Sequence, residues 1–290
     1  MSTTDSALGT QSYRERLPGP GLARHVTCLW VQRVASGREA YRHRTVPNGG
    51  VEIVCDLGTG VARVVGPRRG AVVERLAPGS TVIGARLRAG AAPSILGPAA
   101  LHLVDLEVDL DALWGAAAVR LGERLAEAGL PAAVLLLEKE IAARSATAPD
   151  LDPVVAEAVR RLRPWSGEGV NEAAAGLYIS PRQLRRRCLT ALGYGPKAFQ
   201  RILRFQGFLA LCHKRDGDGI GLARLAAVAG YADQAHLTRE CARLTGLTPG
   251  AFLEETGRSC GTTHDHTASF APLLRALGTR PHRGRPVARV

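Results

Sequence analysis

GYGPKAF, residues 193–199, is answered 53 positions later by GLTPGAF, residues 246–252. The likeness extends upstream. Laid in register, residues 173–199 and 226–252 are identical at ten of 27 positions, among them Tyr178/Tyr231, Leu184/Leu237, Arg186/Arg239, Cys188/Cys241 and Phe199/Phe252. Two copies are too few for a solenoid, whose units bury a continuous core only from about three repeats upward. The pattern predicts a duplicated supersecondary unit. In the first copy Ser180-Pro181-Arg182-Gln183 has the form of a capping box: Ser180 accepts from an amide of the first turn, Gln183 reaches back, and proline suits the first helical position. Asp233 takes the cap position in the second copy, with Gln234 after it. Each cap follows a short Ala-rich helix and a tight turn, so each copy reads as a helix-turn-helix.

A helical wheel of about 100° per residue separates the faces of the second helices. Leu184, Cys188 and Ala191 fall together in one copy, and Leu237, Cys241 and Leu244 in the other. Opposite them stand Arg182 and Arg186, matched by Ala235, Arg239 and Ala242, with Gln183, Arg185, His236 and Thr238 on the flanks. Arg and Gln near a helix N-terminus suit guanine and adenine edges in the major groove. The candidate DNA-binding residues are Arg182, Gln183, Arg185, Arg186, Gln234, His236, Arg239 and Arg243, and the helix caps are Ser180 and Asp233. An arginine-rich face is often only a solvated one, but here cap, turn, duplication and charge agree.

The net charge is +12, with a pI near 10.2. Residues 1–150 hold 17 basic and 15 acidic side chains, whereas residues 151–290 hold 21 and 11. The excess therefore sits with the repeat, where it favours a polyanion. A preference for Arg over Lys, 35 against 3, would not by itself segregate charge in this way.

Ahead of the repeat, from about His25 to Leu106, short β-type runs alternate with Gly and Pro: VTCLWVQRV, VEIVCDLG, VARVVG, AVVERL, TVIGARL and LHLVDLEV. Helical spacing follows, with Asp109 or Asp111 as a cap for a helix through Leu125, and Pro131 opening another. SATAPD, residues 145–150, reads as a linker, and Asp152-Pro153 as a cap and first-turn pair. A long helix after Pro196 carries the chain between the copies, although Gly207 within it costs about 1 kcal/mol relative to Ala for no reason visible in sequence. Beyond Glu255 the chain turns basic and rich in Gly and Pro, the pattern of a disordered tail. The expected fold class is α+β. A β-rich sensor or dimerisation domain, 1–149, with a helical connector at 107–149, precedes an all-α DNA-binding domain with two helix-turn-helix units, 150–256, and a basic tail, 257–290.

On these residues the segment 150–256 resembles the DNA-binding domain of AraC/XylS-type bacterial transcription regulators, in which a long helix joins two helix-turn-helix units. GYADQAHLTRECARLTGLTPGAF, residues 230–252, carries the resemblance best. It implies that Asp233 caps the second recognition helix and that Gln234, His236 and Arg239 face DNA. The first copy departs at the turn, where Leu177 stands opposite Gly230. TVPNGGVEIVCDLG, VVGPRR, GARLRAGAAPSILG and VDLDALWG are similar to an uncharacterised domain that precedes this DNA-binding domain in other regulators. The resemblance implies a sequence-specific transcription regulator with double-stranded DNA as partner. RNA polymerase, a small-molecule effector and a second copy (a homodimer) are further candidate partners.

The rival reading is a small-molecule-modifying or metal-dependent enzyme domain fused to a DNA-binding module. Its signals are thin. The one H-x-H, His264-Asp265-His266, lies in the expected tail. Asp105, Glu107, Asp109 and Asp111 alternate with apolar residues and would share a solvent face, a weak cation site. Cys28 and Cys55 sit in strand-like runs, Cys188 and Cys241 on apolar helix faces, and none has zinc-site spacing. No P-loop, G-x-G-x-x-G or G-x-S-x-G occurs. The expectation is therefore a non-enzyme without cofactor or metal. With neither a signal-peptide pattern nor an apolar run of membrane length, it is expected to be cytoplasmic and off the membrane.

Overall fold

The β-branched runs of the first hundred residues become strands because Val, Ile and aromatic side chains pack on a pleated, half-buried surface. A computed structural model describes residues 11–37, 40–214, 221–260 and 264–278. It places β1 (Gln11–Arg16), β2 (Val26–Val34), β3 (Tyr41–Thr45), β4 (Glu52–Asp56), β5 (Ala62–Val65), β6 (Val72–Leu76), β7 (Thr81–Leu87), a short α1 (Ala92–Leu96) and β8 (Glu107–Asp109). The order β8-β5-β4-β7-β2-β1 is antiparallel throughout, and β3 with β6 makes a separate ribbon. Ile53, Cys55, Val64, Ile83, Ala85 and Leu87 face one side of the large sheet and are buried there. Trp30, opposite Gly84 in the register, lies where a Cβ on that glycine would come within 2.4 Å of its ring.

The connector supplies the cover. α2 (Asp111–Trp114) and α3 (Ala116–Glu127) are separated by Gly115 at φ +61, so the single helix expected here is broken, and neither Asp109 nor Asp111 caps it. α4 (Leu130–Thr147) lays Ala133, Val134, Leu137 and Ile141 on the sheet. Gly122 lets α3 settle on the turn after β4: a Cβ there would come within 2.0 Å of the Gly60 carbonyl oxygen.

Three members of the acidic row, Asp105, Glu107 and Asp109, pair with arginines. Asp105 accepts from the Arg69 amide at 2.8 Å and from its side chain, Glu107 pairs with Arg68, and Asp109 pairs with Arg63 at 3.4 Å. Among the described residues no group of His, Cys, Asp or Glu has the arrangement of a metal site, and no helix is long and apolar enough to cross a membrane. Burial pushes the Cys28 and Cys55 thiols up to about 12, which removes them as nucleophiles at neutral pH.

The helical half follows: α5 (Pro153–Arg161), α6 (Val170–Gly176), α7 (Pro181–Leu192), α8 (Pro196–Lys214), α9 (Leu222–Val228), α10 (Gln234–Thr245) and α11 (Pro249–Cys260). Asp152 caps α5 by accepting from Val154 and Val155, as its sequence position predicts. α11 runs past 256, and the tail departs from expectation. Residues 264–265 form β9, parallel to β1, and α12 (Thr267–Gly278) follows. The reason is local. TASFAPLL is apolar enough to bury Ala268 and Phe270, although the segment around it is basic and Gly/Pro-rich. His264 and His266 are therefore not solvated tail residues. His266 stacks on Tyr13 with ring centroids 4.7 Å apart, and His264 meets the side chain of Gln11 at 2.5 Å. Beneath them the Glu15 carboxylate, fully buried, takes the Ser269 amide at 2.7 Å and lies 3.3 Å from Arg86, which also holds Glu52 at 2.9 Å. The remaining tail residues lie outside the described ones.

Candidate nucleic-acid interface

In the second unit the chain leaves α9 through Gly230, whose φ of +85 is the left-handed conformation that glycine adopts without strain. The Tyr231 amide closes the turn on the Ala226 carbonyl at 3.0 Å. Asp233 then caps α10 by accepting from the His236 amide at 2.6 Å. Leu237, Cys241 and Leu244 are buried, which turns Gln234, Ala235, Arg239, Ala242 and Arg243 to the exterior. His236 is not with them. Its Nδ1 accepts from the Ala232 amide at 3.3 Å and its ring meets Tyr231 edge-on at 5.2 Å. The side chain braces the turn. Tyr231 is buried with its hydroxyl unpartnered among the described residues, and burial drives that phenol well above its ordinary range.

The first unit reaches the same geometry differently. The left-handed residue after α6 is Tyr178 at φ +54, one place later than Gly230 in the repeat, and the Ile179 amide closes on Ala174 at 3.1 Å. The one-residue shift answers the mismatch of Leu177 with Gly230. Tyr178 is 96% exposed where its counterpart Tyr231 is 4% exposed. Identity between the copies hid this difference in exposure. Ser180 and Gln183 form the reciprocal box, with the Gln183 amide donating to Ser180 Oγ at 3.2 Å and the Ser180 amide to Gln183 Oε1 at 2.9 Å. Gln183 thus serves the cap with its carbonyl oxygen, as the capping-box reading expects. Arg187 is tied to Asp152 at 2.6 Å. Arg182, Arg185 and Arg186 are exposed and, like Arg239 and Arg243, make no ion pair among the described residues. Burial raises the thiol of Cys188 to about 11 and that of Cys241 in the same direction, consistent with core packing.

α8 joins the two units and is their common core, with Phe199, Phe205 and Phe208 fully buried along it. Arg201 of α8 donates to Glu240 of α10 at 2.5 Å. Arg204 lies 5.8 Å over the Tyr231 ring. Gly207 now has a reason. A Cβ there would stand 3.0 Å from the Trp165 ring and 3.3 Å from Pro164. That close seat lets the Trp165 indole donate to the Val228 carbonyl, at the end of α9, at 2.5 Å. The sequence signal was the lone glycine itself.

Hydrogen bonds among the described residues join the β-rich half to this pair of units. Tyr194, in the turn after α7, donates to the Arg68 carbonyl at 2.6 Å. The Gln206 side chain of α8 donates to the Pro47 carbonyl at 2.7 Å. Arg44 of β3 donates to Glu255 of α11 at 2.6 Å and to the Thr245 carbonyl ending α10 at 2.9 Å. Two capped helices with unpaired arginines, fixed on one core, can present guanidinium forks to base edges and phosphates at two places at once.

Residues 173–255 match the family model described as a helix-turn-helix domain. Residues 14–109 match one described as a domain of unknown function, DUF6597. No curated protein matches the chain significantly in sequence. Among solved structures, an apo ToxT variant from Vibrio cholerae is similar at 9% identity over 82% of this chain and 99% of that one, with a TM-score of 0.47. Wild-type ToxT from the same organism with unsaturated fatty acid bound is similar at 11% identity over 87% and 97%, with a TM-score of 0.37.

Proposed function

We propose that this chain, a DNA-binding transcription regulator whose residues 173–255 are a helix-turn-helix domain of the AraC type, lays α7 and α10 in successive major-groove segments of one duplex. Arg182, Arg185 and Arg186 serve the first segment, and Gln234, Arg239 and Arg243 the second. Ser180 and Asp233 set the helix starts, while Gln183 and His236 stiffen the two turns. The observation that carries this reading is the pairing of two capped helices whose outward arginines have no carboxylate partner among the described residues. Such a surface is costly to leave bare in a basic half-chain and is repaid by phosphates and guanine edges.

In the same proposal residues 1–149 form the regulatory part and 150–256 the reading part, in the cytoplasm. RNA polymerase, a small-molecule effector and a second copy of the chain are its further partners. Enrichment of duplexes from a random-sequence pool by the full chain tests the reading. A single recovered motif with two reading segments is the expected result. A pool that stays unenriched while the protein binds it in a salt-dependent way would leave only non-specific attraction.

A further inference from the structure

β3 and β6 stand apart from the large sheet as an antiparallel ribbon with two unlike faces. Side chains alternate along a strand, so the odd and even positions of β3 part company. The odd ones point into the β-rich half: the Tyr41 hydroxyl accepts from the Gln11 side-chain amide at 2.8 Å, and the His43 ring meets Gln32 at 3.3 Å. The even ones, Arg42 and Arg44, therefore point away from it. The register sets Arg42 directly opposite Arg75 and Arg44 opposite Val73, and residues so opposed share a face. Arg42, Arg75 and Val73 are exposed there. Glu74, the one carboxylate on either strand, stands opposite His43 and so on the inward face. Neither Arg42 nor Arg75 has a hydrogen-bond or ion-pair partner for its side chain among the described residues. Like charges directly opposite one another weaken a ribbon, so the fold alone gains nothing from this pair.

The third arginine of that face shows where it lies. Arg44 donates to Glu255 of α11 at 2.6 Å and to the Thr245 carbonyl that ends α10 at 2.9 Å. Thr245 is two residues beyond Arg243, the last outward arginine of the second reading helix. Arg42 lies two residues from Arg44 on β3, about 7 Å along the strand. The basic surface of the second unit is thus continued onto the β-rich half. A single exposed arginine is ordinarily a solvated one. Two set face to face without a carboxylate, at the margin of a surface that suits a polyanion, complement phosphates. We propose that Arg42 and Arg75 form a backbone clamp, holding two phosphates of the duplex beside the segment read by α10. The clamp rests on the DNA-binding reading above and extends it to the β-rich half. That half then anchors the duplex without reading it, since phosphate contacts carry no sequence information.

Fluorescence anisotropy of the full chain tests it over a series of salt concentrations, on an enriched duplex and a random one of equal length. Arg42→Gln with Arg75→Gln should weaken both by the same factor. The slope of log affinity against log salt should fall by about 0.9 for each phosphate lost, about two in all. Arg120→Gln with Arg124→Gln removes the same charge from the exposed side of α3 and should leave the slope unchanged. Should the ribbon pair fail to fold, Arg75→Glu decides alone. It gives Arg42 a partner within the chain, so it should raise the urea midpoint of the free protein while lowering the slope by at least about one unit. A slope that stays level in the ribbon variants, or a fall that the α3 pair reproduces, would overturn the clamp. The ratio of specific to random binding reads the regulator assignment separately. A wild type that prefers neither duplex sinks that assignment and leaves the slope comparison standing, whereas an intact preference with an unaltered slope sinks the clamp alone.

Discussion

Gly207→Ala should destabilise this protein, against the ordinary sign of that substitution. In a helix interior the exchange gains about 1 kcal/mol from reduced backbone entropy. Here the new methyl would stand 3.0 and 3.2 Å from two carbons of the Trp165 ring and 3.3 Å from Pro164. Neither neighbour is the loose end of a flexible chain, so the ring must shift by a few tenths of an ångström. Overpacking of this kind costs about 1–3 kcal/mol. The shift also strains the indole bond to Val228, which contributes about 1 kcal/mol. The balance is a loss of about 1–2 kcal/mol once the propensity gain is subtracted. Urea unfolding followed by circular dichroism measures it as a fall in midpoint at constant slope. The decisive arm repeats the substitution in a Trp165→Ala background, where the ring is gone and only the propensity remains. There Gly207→Ala should stabilise by about 1 kcal/mol, a coupling of about 2–3 kcal/mol between the two sites. Equal effects in both backgrounds, or a stabilised single variant, would refute the packing argument.

Removing a base reader should differ from removing a phosphate anchor. Arg239→Ala or Arg186→Ala should cost about 1–3 kcal/mol on the specific site and relax preference at one or two base pairs; equal loss on specific and random duplexes by fluorescence anisotropy would leave only a phosphate role. The 19 residues of α8 span about 28 Å at about 1.5 Å per residue, so one monomer should read two centres about 10–11 base pairs apart on one face of the duplex. Inserting about five base pairs between those centres, half a helical turn, should abolish the second contribution, and about ten should not restore it; similar affinity at every spacing would show that α8 sets no distance. Acid should weaken the fold in a defined window. Burial holds the His43 imidazole at about 4 and that of His264 at about 3, against 6.5 for an exposed group. The unfolded chain thus binds more protons between the exposed and buried values, so stability is full above pH 6.5 and falls as pH drops from there towards 4. A urea midpoint that stays level or rises over that interval would contradict the buried placement of both rings.

Which parts of this structure could be read from sequence follows from where the signal lies. β2, β4, β5, β6 and β7 are legible because their Val and Ile runs announce burial, and both recognition helices because their caps and repeat spacing are local. β1 and β3 escape notice. QSYRER and YRHRT look like polar loops because they bury a hydrogen-bonded network rather than hydrocarbon, with Gln11 and Tyr13 inside. α12 was hidden by the average composition of the segment around it, which masks eight apolar-rich residues between basic flanks. Helical position alone cannot tell a side chain that reaches outward from one that folds back on its own turn. Gln183 and His236 do the latter, and only hydrogen-bond geometry separates them from Arg186 and Arg239.

The pairing of β9 with β1 has a consequence for how the protein is made. β1 is the first strand among the described residues, and its inner edge can meet β2 within about twenty residues of synthesis. Its other edge, at Tyr13 and Arg14, is taken by His264 and Asp265, some 250 residues later. Throughout translation of both reading units that edge stands with unpaired backbone groups, the kind of template on which strands of other chains add. The polar character of QSYRER is then protective, since Arg14, Glu15 and Arg16 charge an edge that an apolar strand would leave sticky. The same sequence that hides β1 from a reader keeps it from its neighbours until His264 and Asp265 arrive.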